Sequence, residues 1–287
     1  MRDPAVRLEN VHVDYALEGN SRRKILNGID LEIASGEFVS IVGQTGCGKS
    51  TLLRLILAEE KPSQGRVVVA GRERSQPDRY CGYVPQKYSL FPDKTVLDNV
   101  TFGPEVTGLG GFSRLSATGR RRLRDFRAEA LKYLRHTGLQ ETDARKYPHQ
   151  LSGGMQQRVA IAQALIMKPP ILLMDEAFSA LDPVTRSGMQ RLIKQLWRES
   201  GTTIVFVTHN TREAVCLGTR IIALAKDASL DRGSSVALDL SVPHADFESE
   251  ETEIAPLIRE VEAATTPRGM TSLSSEDTIA VHAGSSD

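Results

Sequence analysis

An α/β fold is predicted for the chain from Val6 to about Ala225, and two observations predict it. Short apolar runs rich in β-branched residues recur along this stretch, each bounded by glycine, proline or charge, as strands buried in a sheet are. Segments of helical periodicity separate them, and strands alternating with helices build a sheet covered by helices. The composition agrees. A chain of 287 residues suffices to bury a sizeable core, and 36 Lys plus Arg against 36 Asp plus Glu leave a formal net charge of zero. Such a balanced chain is not a polycation built for DNA, so no nucleic-acid partner is expected.

The elements follow in chain order. "EFVSIVG" reads as a strand that runs into the glycine-rich "GQTGCGKST" and then into the helix of "STLLRLIL". "GRVVVAG" and "CGYVP" read as further strands. From about Gly103 to Gln150 strand signals vanish, and charged sequence including "GRRRLRDFRAEALKYLRHTGL" reads as a helical insertion in the α/β core. Its Arg120, Arg121, Arg122, Arg124 and Arg127 read as a solvated helix face, with contact to lipid headgroups or a membrane partner as the other reading. "PILLMDE" restores the strand pattern. "DPVTRSGMQRLIKQLWRES" reads as a helix with Asp182 as N-cap and Pro183 at its first position. Met189, Leu192, Ile193, Leu196 and Trp197 share one of its faces, expected to pack on the sheet. "TTIVFVTH" and "RIIALA" complete the strands. After Lys226, "DASLDRGSS" is loop-like, "VALDLSV" fits one more strand, and an acidic stretch contains a short amphipathic piece around Ile254 to Val261. Residues 227–287 are expected to form an acidic extension, disordered in its Ser-, Thr-, Gly- and Asp-rich last part.

The longest mostly apolar stretch, "VAIAQALIMKPPILLM", is interrupted by Gln163, Lys168 and two prolines, so no bilayer span is expected. The charged start "MRDPAVRLEN" lacks the apolar region of a signal peptide. Cys47, Cys81 and Cys216 lie far apart, which indicates neither a disulfide framework nor a zinc site. A cytosolic protein is expected.

"GQTGCGKST" fits G-x-x-x-x-G-K-[ST], with Gly43, Gly48, Lys49 and Ser50 in the defining places, after a strand and before a helix. Glycines let successive N–H groups curl toward phosphate oxygens at a helix N-terminus, Lys49 neutralises β/γ charge, and Ser50 can ligate magnesium. "ILLMDE" sets Asp175 at the polar end of an apolar strand, where a carboxylate can hold the magnesium shell. Glu176 follows it. Neighbouring strand residues point to opposite faces, but past the strand end this second carboxylate can swing toward the γ-phosphate and polarise water.

"LSGGMQQRVAIAQAL", Leu151 to Leu165, resembles the signature sequence of ABC proteins, and the chain from about Val6 to Ala225 is similar to the nucleotide-binding domain of an ABC transporter. "YVPQ" resembles the Q-loop with Gln86, "SALD" the D-loop ending in Asp182, and "FVTH" supplies His209 in the place of the switch histidine. Tyr15 stands where the family has an adenine-stacking aromatic. Read alone, Gln86 also fits an exposed strand-end amide, Tyr15 a packed aromatic, and His209 a satisfied polar residue. The resemblance implies a P-loop NTPase core of the ABC type over residues 1–226, with an antiparallel β subdomain and a helical subdomain at about 103–165. It implies ATP held by Gly43, Gln44, Thr45, Gly46, Cys47, Gly48, Lys49, Ser50, Thr51 and Tyr15, and Mg2+ held by Ser50, Gln86 and Asp175. Glu176, Gln86 and His209 are implied in catalysis. Ser152, Gly153 and Gly154 precede a long helix, a second anion site in one chain. The resemblance assigns this site and Asp182 to nucleotide held by another copy, in a head-to-tail dimer. "LILAEEKPSQG" departs from the family's usual Ala-Gly pair, and Gln163 stands where arginine is common. Neither position touches phosphate in the family pattern.

The family further implies an ATPase subunit on the cytoplasmic face of the inner (plasma) membrane, working with separate permease subunits and an extracytoplasmic substrate-binding protein. "CGKSTLLRLI", "LFPDKTVLDNVTFGP" and "THNTREAV" look most like bacterial importers of the nitrate, sulfonate and taurine type. The other readings are the ATPase of an exporter or lipid-transport system, and a soluble ABC protein acting on ribosomes or DNA. The latter usually carries two nucleotide domains or a long coiled coil, and this chain has one motif set and no sustained heptads.

Overall fold

The computed structural model describes residues 4–17, 22–87, 90–108, 116–226, 233–242 and 251–266. Its strands are β1 (Val6–Ala16), β2 (Arg22–Ile33), β3 (Phe38–Gly43), β4 (Gln64–Val69), β5 (Arg72–Glu73), β6 (Cys81–Val84), β7 (Ile171–Asp175), β8 (Thr203–Val207), β9 (Arg220–Lys226) and β10 (Ser234–Ser241). Its helices are α1 (Lys49–Ile56), α2 (Val96–Gly108), α3 (Ala117–His136), α4 (Gly153–Leu165), α5 (Pro183–Ser200), α6 (Thr211–Leu217) and α7 (Glu251–Thr265). The strands form one sheet in the order β5-β4-β1-β2-β10-β9-β3-β8-β7-β6.

The sheet has two regimes. β9, β3, β8, β7 and β6 pair in parallel, and β3, β7 and β8 are buried at every position, as strands covered on both faces must be. β5, β4, β1 and β2 pair antiparallel. Here β1 alternates buried with partly exposed residues, the pattern of a sheet covered on one side. This wing carries the two long strands that no sequence run singled out.

Side-chain alternation along β3 assigns the layers. Val39 and Ile41 join Leu52, Leu53 and Ile56 of α1 in one cluster. Phe38 joins Phe206, Met189 and Ile193 in another, beneath α5. There Phe38 meets Trp197 edge-on at 5.8 Å, and the indole N–H donates to Gly36 O at 2.8 Å. Helix α5 begins as its sequence requires, with Asp182 accepting a hydrogen bond from Thr185 N and Pro183 in the first turn.

Two boundaries differ from the sequence reading. The helical region begins at Val96 rather than near Gly103: Thr95 Oγ1 accepts from Asp98 N at 3.2 Å, and Pro104 sits buried inside α2. The described parts of the expected extension belong to the core. β10 pairs with β9, and Ile254 and Val261 of α7 are buried with Ala214, Val215 and Cys216 of α6. The expected disorder of the last residues concerns 267–287, outside the described residues.

Candidate active site

In a parallel sheet every strand delivers its C-terminal end to the same edge, where open α/β sheets bind ligands. That edge collects the predicted residues. β3 ends at Gly43 and continues into the glycine loop, Gln86 follows β6, Asp175 closes β7, Glu176 comes next, and His209 follows β8. β6, β7 and β8 are consecutive neighbours, so Gln86, Glu176 and His209 meet although far apart in sequence.

The loop before α1 requires glycine for definite reasons. A Cβ on Gly43 would stand 2.5 Å from Leu224 O and 2.6 Å from Cys47 Sγ. Gly48 has φ 94° and a Cβ there would reach Leu26 Cδ2 at 2.7 Å. Gly46 faces open space but has φ 77°, which itself favours glycine. No side chain caps α1 and its first turn holds no acid, so its leading N–H groups are free of a competing carboxylate. Lys49 is 7% exposed, and its Nζ donates to Gly43 O at 2.7 Å and Gln44 O at 3.1 Å. Open loop, uncapped helix start and inward-folded ammonium together fit the phosphates of a nucleotide.

Asp175 is buried, and burial pushes its carboxyl above the usual range against the opposing effects of a Ser50 hydrogen bond and the Lys49 charge, with Glu176 adding to the rise. A desolvated carboxyl beside a serine hydroxyl fits a hard cation, which keeps waters and takes only one or two carboxylates. Because burial raises this carboxyl's pKa in the folded state, ionisation opposes folding: stability falls as pH rises past the pKa of the unfolded chain, and at lower pH the carboxyl is neutral in both states. Asp175→Asn is therefore expected to raise the unfolding midpoint of the nucleotide-free protein at pH 7, the gain vanishing at acid pH where the carboxyl is neutral in both states, while magnesium-dependent hydrolysis is lost. Thermal melts across pH test this, and a destabilised variant at pH 7 would count against it.

Glu176 turns its own carboxylate into the site. It has φ 45°, in the left-handed region where a non-glycine residue is strained. Its N–H donates to Val207 O at 2.9 Å. Its Oε2 accepts from Gln86 Nε2 at 2.9 Å and lies 3.3 Å from His209 Nδ1. An acid so held, between an amide and an imidazole, can orient and deprotonate a water.

The other predicted residues lie around this centre. Tyr15, on β1, packs partly buried on the α1 cluster, where burial pushes its phenol up. Thr51 is buried in α1. Ser152 caps α4 by accepting from Met155 N at 3.3 Å, and Gly154 lies against Leu181. Helix α4 packs on α2, α3 and β6, whereas α1 packs on β3, β4 and β7. The two helix starts thus stand on different elements of the fold. Asp182 is exposed, and its hydrogen bonds with Thr185 hold its carboxyl below the usual range. Sequence reading missed the polar residues Arg186, Gln190 and Lys194, one per turn of α5, of which Gln190 and Lys194 are buried facing α6. Their i, i+4, i+8 spacing was the available signal.

A parallel region of sheet in which one strand feeds a glycine loop into a helix, with carboxylates at the end of a strand one further across, defines a P-loop nucleotide-binding protein. The chain belongs to the ABC transporter family, whose model, described as ABC transporter, matches residues 26–179. It is 41% identical over 219 residues to an uncharacterised ABC transporter ATP-binding protein of Methanocaldococcus jannaschii, covering 76% of this chain and 77% of that protein. It is 41% identical to an aliphatic sulfonates import ATP-binding protein of Pseudomonas putida, covering 78% of this chain and 75% of the relative. It is 37% identical to a nitrate import ATP-binding protein of Synechococcus elongatus, where it covers 85% of this chain but spans only 36% of the relative. Among solved structures it resembles a dimeric post-hydrolysis state of the ATP-binding cassette MJ0796 bound to ADP and Pi, with TM-score 0.71, 36% identity, and coverage of 83% of this chain and 99% of that one. The chain is an ABC-type ATPase.

Proposed function

We propose that this chain is the ATP-hydrolysing subunit of a multi-subunit importer of a small polar solute, with two copies closing head to tail on ATP and driving separate permease subunits. The observation that carries the hydrolytic part is the Glu176 carboxylate, held by Gln86 and His209 beside the Lys49 loop. Lys49 leaves the Gly43 and Gln44 carbonyls to neutralise phosphate charge, and the loop amides and Thr51 complete the grip. Ser50, Asp175 and Gln86 would hold magnesium, which would supply neutralisation of phosphate charge. Glu176 takes the proton of the attacking water, and His209 keeps that carboxylate and the phosphate region in register. Tyr15 stacks on the adenine ring of the nucleotide. Ser152, Gly153, Gly154 and Asp182 of one copy close on the nucleotide of the other, a reading supported by the different packing of α1 and α4 and by the dimeric relative.

The importer reading draws on relatives named for nitrate, aliphatic sulfonate and spermidine/putrescine import. Among the described residues no helix is long and apolar enough to cross a membrane; in this reading the pore is formed by the permease subunits, with this chain at the cytoplasmic face. A groove lined by Tyr83, Pro85, Phe102, Gly103, Gln163 and Met167 adjoins Gln86, placed to receive a permease helix and relay its position to the site. Affinity capture of the tagged chain from detergent-solubilised native membranes, read by mass spectrometry, tests the proposal. A permease with an extracytoplasmic binding protein is expected. A permease without one contradicts import, and ribosomal or DNA-repair proteins contradict transport altogether.

A further inference from the structure

Glu213 lies outside the residues assigned above, yet it joins the two loops that meet at the hydrolytic centre. It stands in the first turn of α6 with its side chain 12% exposed. Its Oε2 accepts from Thr208 Oγ1 at 2.8 Å, its Oε1 accepts from Gln190 Nε2 at 3.0 Å, and Arg186 Nε stands 3.9 Å from Oε1. Thr208 and Asn210 flank His209. Thr208 Oγ1 accepts from Asn210 N at 3.0 Å, and Asn210 Oδ1 accepts from Glu213 N at 3.1 Å. Both neighbours of the histidine are thus tied to Glu213.

The other arm runs through Arg186. Its Nη2 donates to Leu181 O at 2.9 Å and its Nε to Phe178 O at 3.3 Å. Those carbonyls belong to the turn from Glu176 to Asp182, where Ser179 N donates to Glu176 O at 3.0 Å. A largely buried carboxylate carries a desolvation cost that apolar packing between α5 and α6 would avoid. What the carboxylate adds is a directional link: its two oxygens take hydrogen bonds from different elements, and a buried network of this kind sets positions more tightly than its separate pairs do.

We propose that Glu213 is a positioning residue for ATP hydrolysis, coupling the placement of His209 to that of the turn carrying Glu176 and Asp182. The inference rests on the reading of Glu176 and His209 as the hydrolytic pair. A shift of the Asp182 turn, as when a second copy presses on it, passes through Arg186 and Glu213 to the histidine loop.

Steady-state ATPase kinetics of the full chain test this with Glu213→Gln, Thr208→Val, His209→Ala and the double variant Glu213→Gln/His209→Ala, alongside Glu176→Gln as control. Glu213→Gln keeps the side-chain shape, and Thr208→Val removes only the hydroxyl link. Each is expected to lower kcat on the order of ten- to a hundredfold with KM and ATP affinity unchanged, and the double variant is expected to match His209→Ala rather than multiply the two losses. Wild-type kcat in Glu213→Gln, multiplicative losses in the double variant, or a kcat loss that merely follows a raised KM and a lowered unfolding midpoint would overturn the proposal. Full activity in Glu176→Gln and His209→Ala would instead overturn the hydrolytic pair on which it rests.

Discussion

Lys49→Ala is expected to lower ATP hydrolysis on the order of a hundred- to a thousandfold or more, the scale of losing one preorganised electrostatic contact to a developing charge. Lys49 is the cation folded into the glycine loop, 7% exposed, with its Nζ on the Gly43 and Gln44 carbonyls. Phosphate binding exchanges those neutral acceptors for charged ones, a stronger partnership in a site shielded from water. Alanine removes the only charge this account sets against the γ-phosphate from the loop, so nucleotide affinity is expected to fall together with turnover. Undiminished ATPase activity of the purified protein would refute the assignment.

Glu176→Gln separates the two effects that Lys49→Ala merges. The amide keeps the size of the carboxylate and can still accept from Gln86 Nε2, which stands at 2.9 Å from Glu176 Oε2. It cannot take a proton. Hydrolysis is expected to fall on the order of a hundred- to ten-thousandfold, while the loop that grips phosphate is untouched and ATP affinity is retained. A single-turnover assay beside a binding titration checks both halves. The strained φ of 45° at position 176 belongs to this account, since it is the backbone turn that carries the carboxylate off the strand and toward Gln86 and His209.

The parts of this site that local chemistry dictates were legible in the sequence, and the parts made by pairing across the sheet were not. The glycine loop, the Asp175–Glu176 strand end and the Asp182–Pro183 helix start are each written within a few residues. The meeting of Gln86, Glu176 and His209 needs β6, β7 and β8 to lie side by side, which only the resemblance could supply. β1 and β2 escaped notice because one face of this wing is wet and register shifts interrupt their pairing, which blurs alternation. The first turns of α2 carry no helical signal as plain as the charged run that follows, and Gly103 and Pro104 inside it are residues that ordinarily interrupt a helix. In the fold Gly103 lies against Met167 Sδ, where a Cβ would come within 2.9 Å, and Pro104 is buried. The place of β10 depends on a distant partner: Arg220 Nη2 of β9 meets Asp239 Oδ2 at 2.6 Å and its Nη1 lies 3.4 Å from Glu37 Oε1. Glu213 lies within "THNTREAV", but nothing in that stretch shows that its side chain reaches Gln190 and Arg186 of α5.

Sedimentation of the Glu176→Gln protein with magnesium and ATP, set beside the same protein with ADP, tests the central claim most directly. If ATP bound by the glycine loop of one copy is closed over by the Ser152 helix start of another, the ATP sample sediments as a dimer and the ADP sample as a monomer. A monomer in ATP at saturating occupancy, with normal nucleotide affinity, would contradict it.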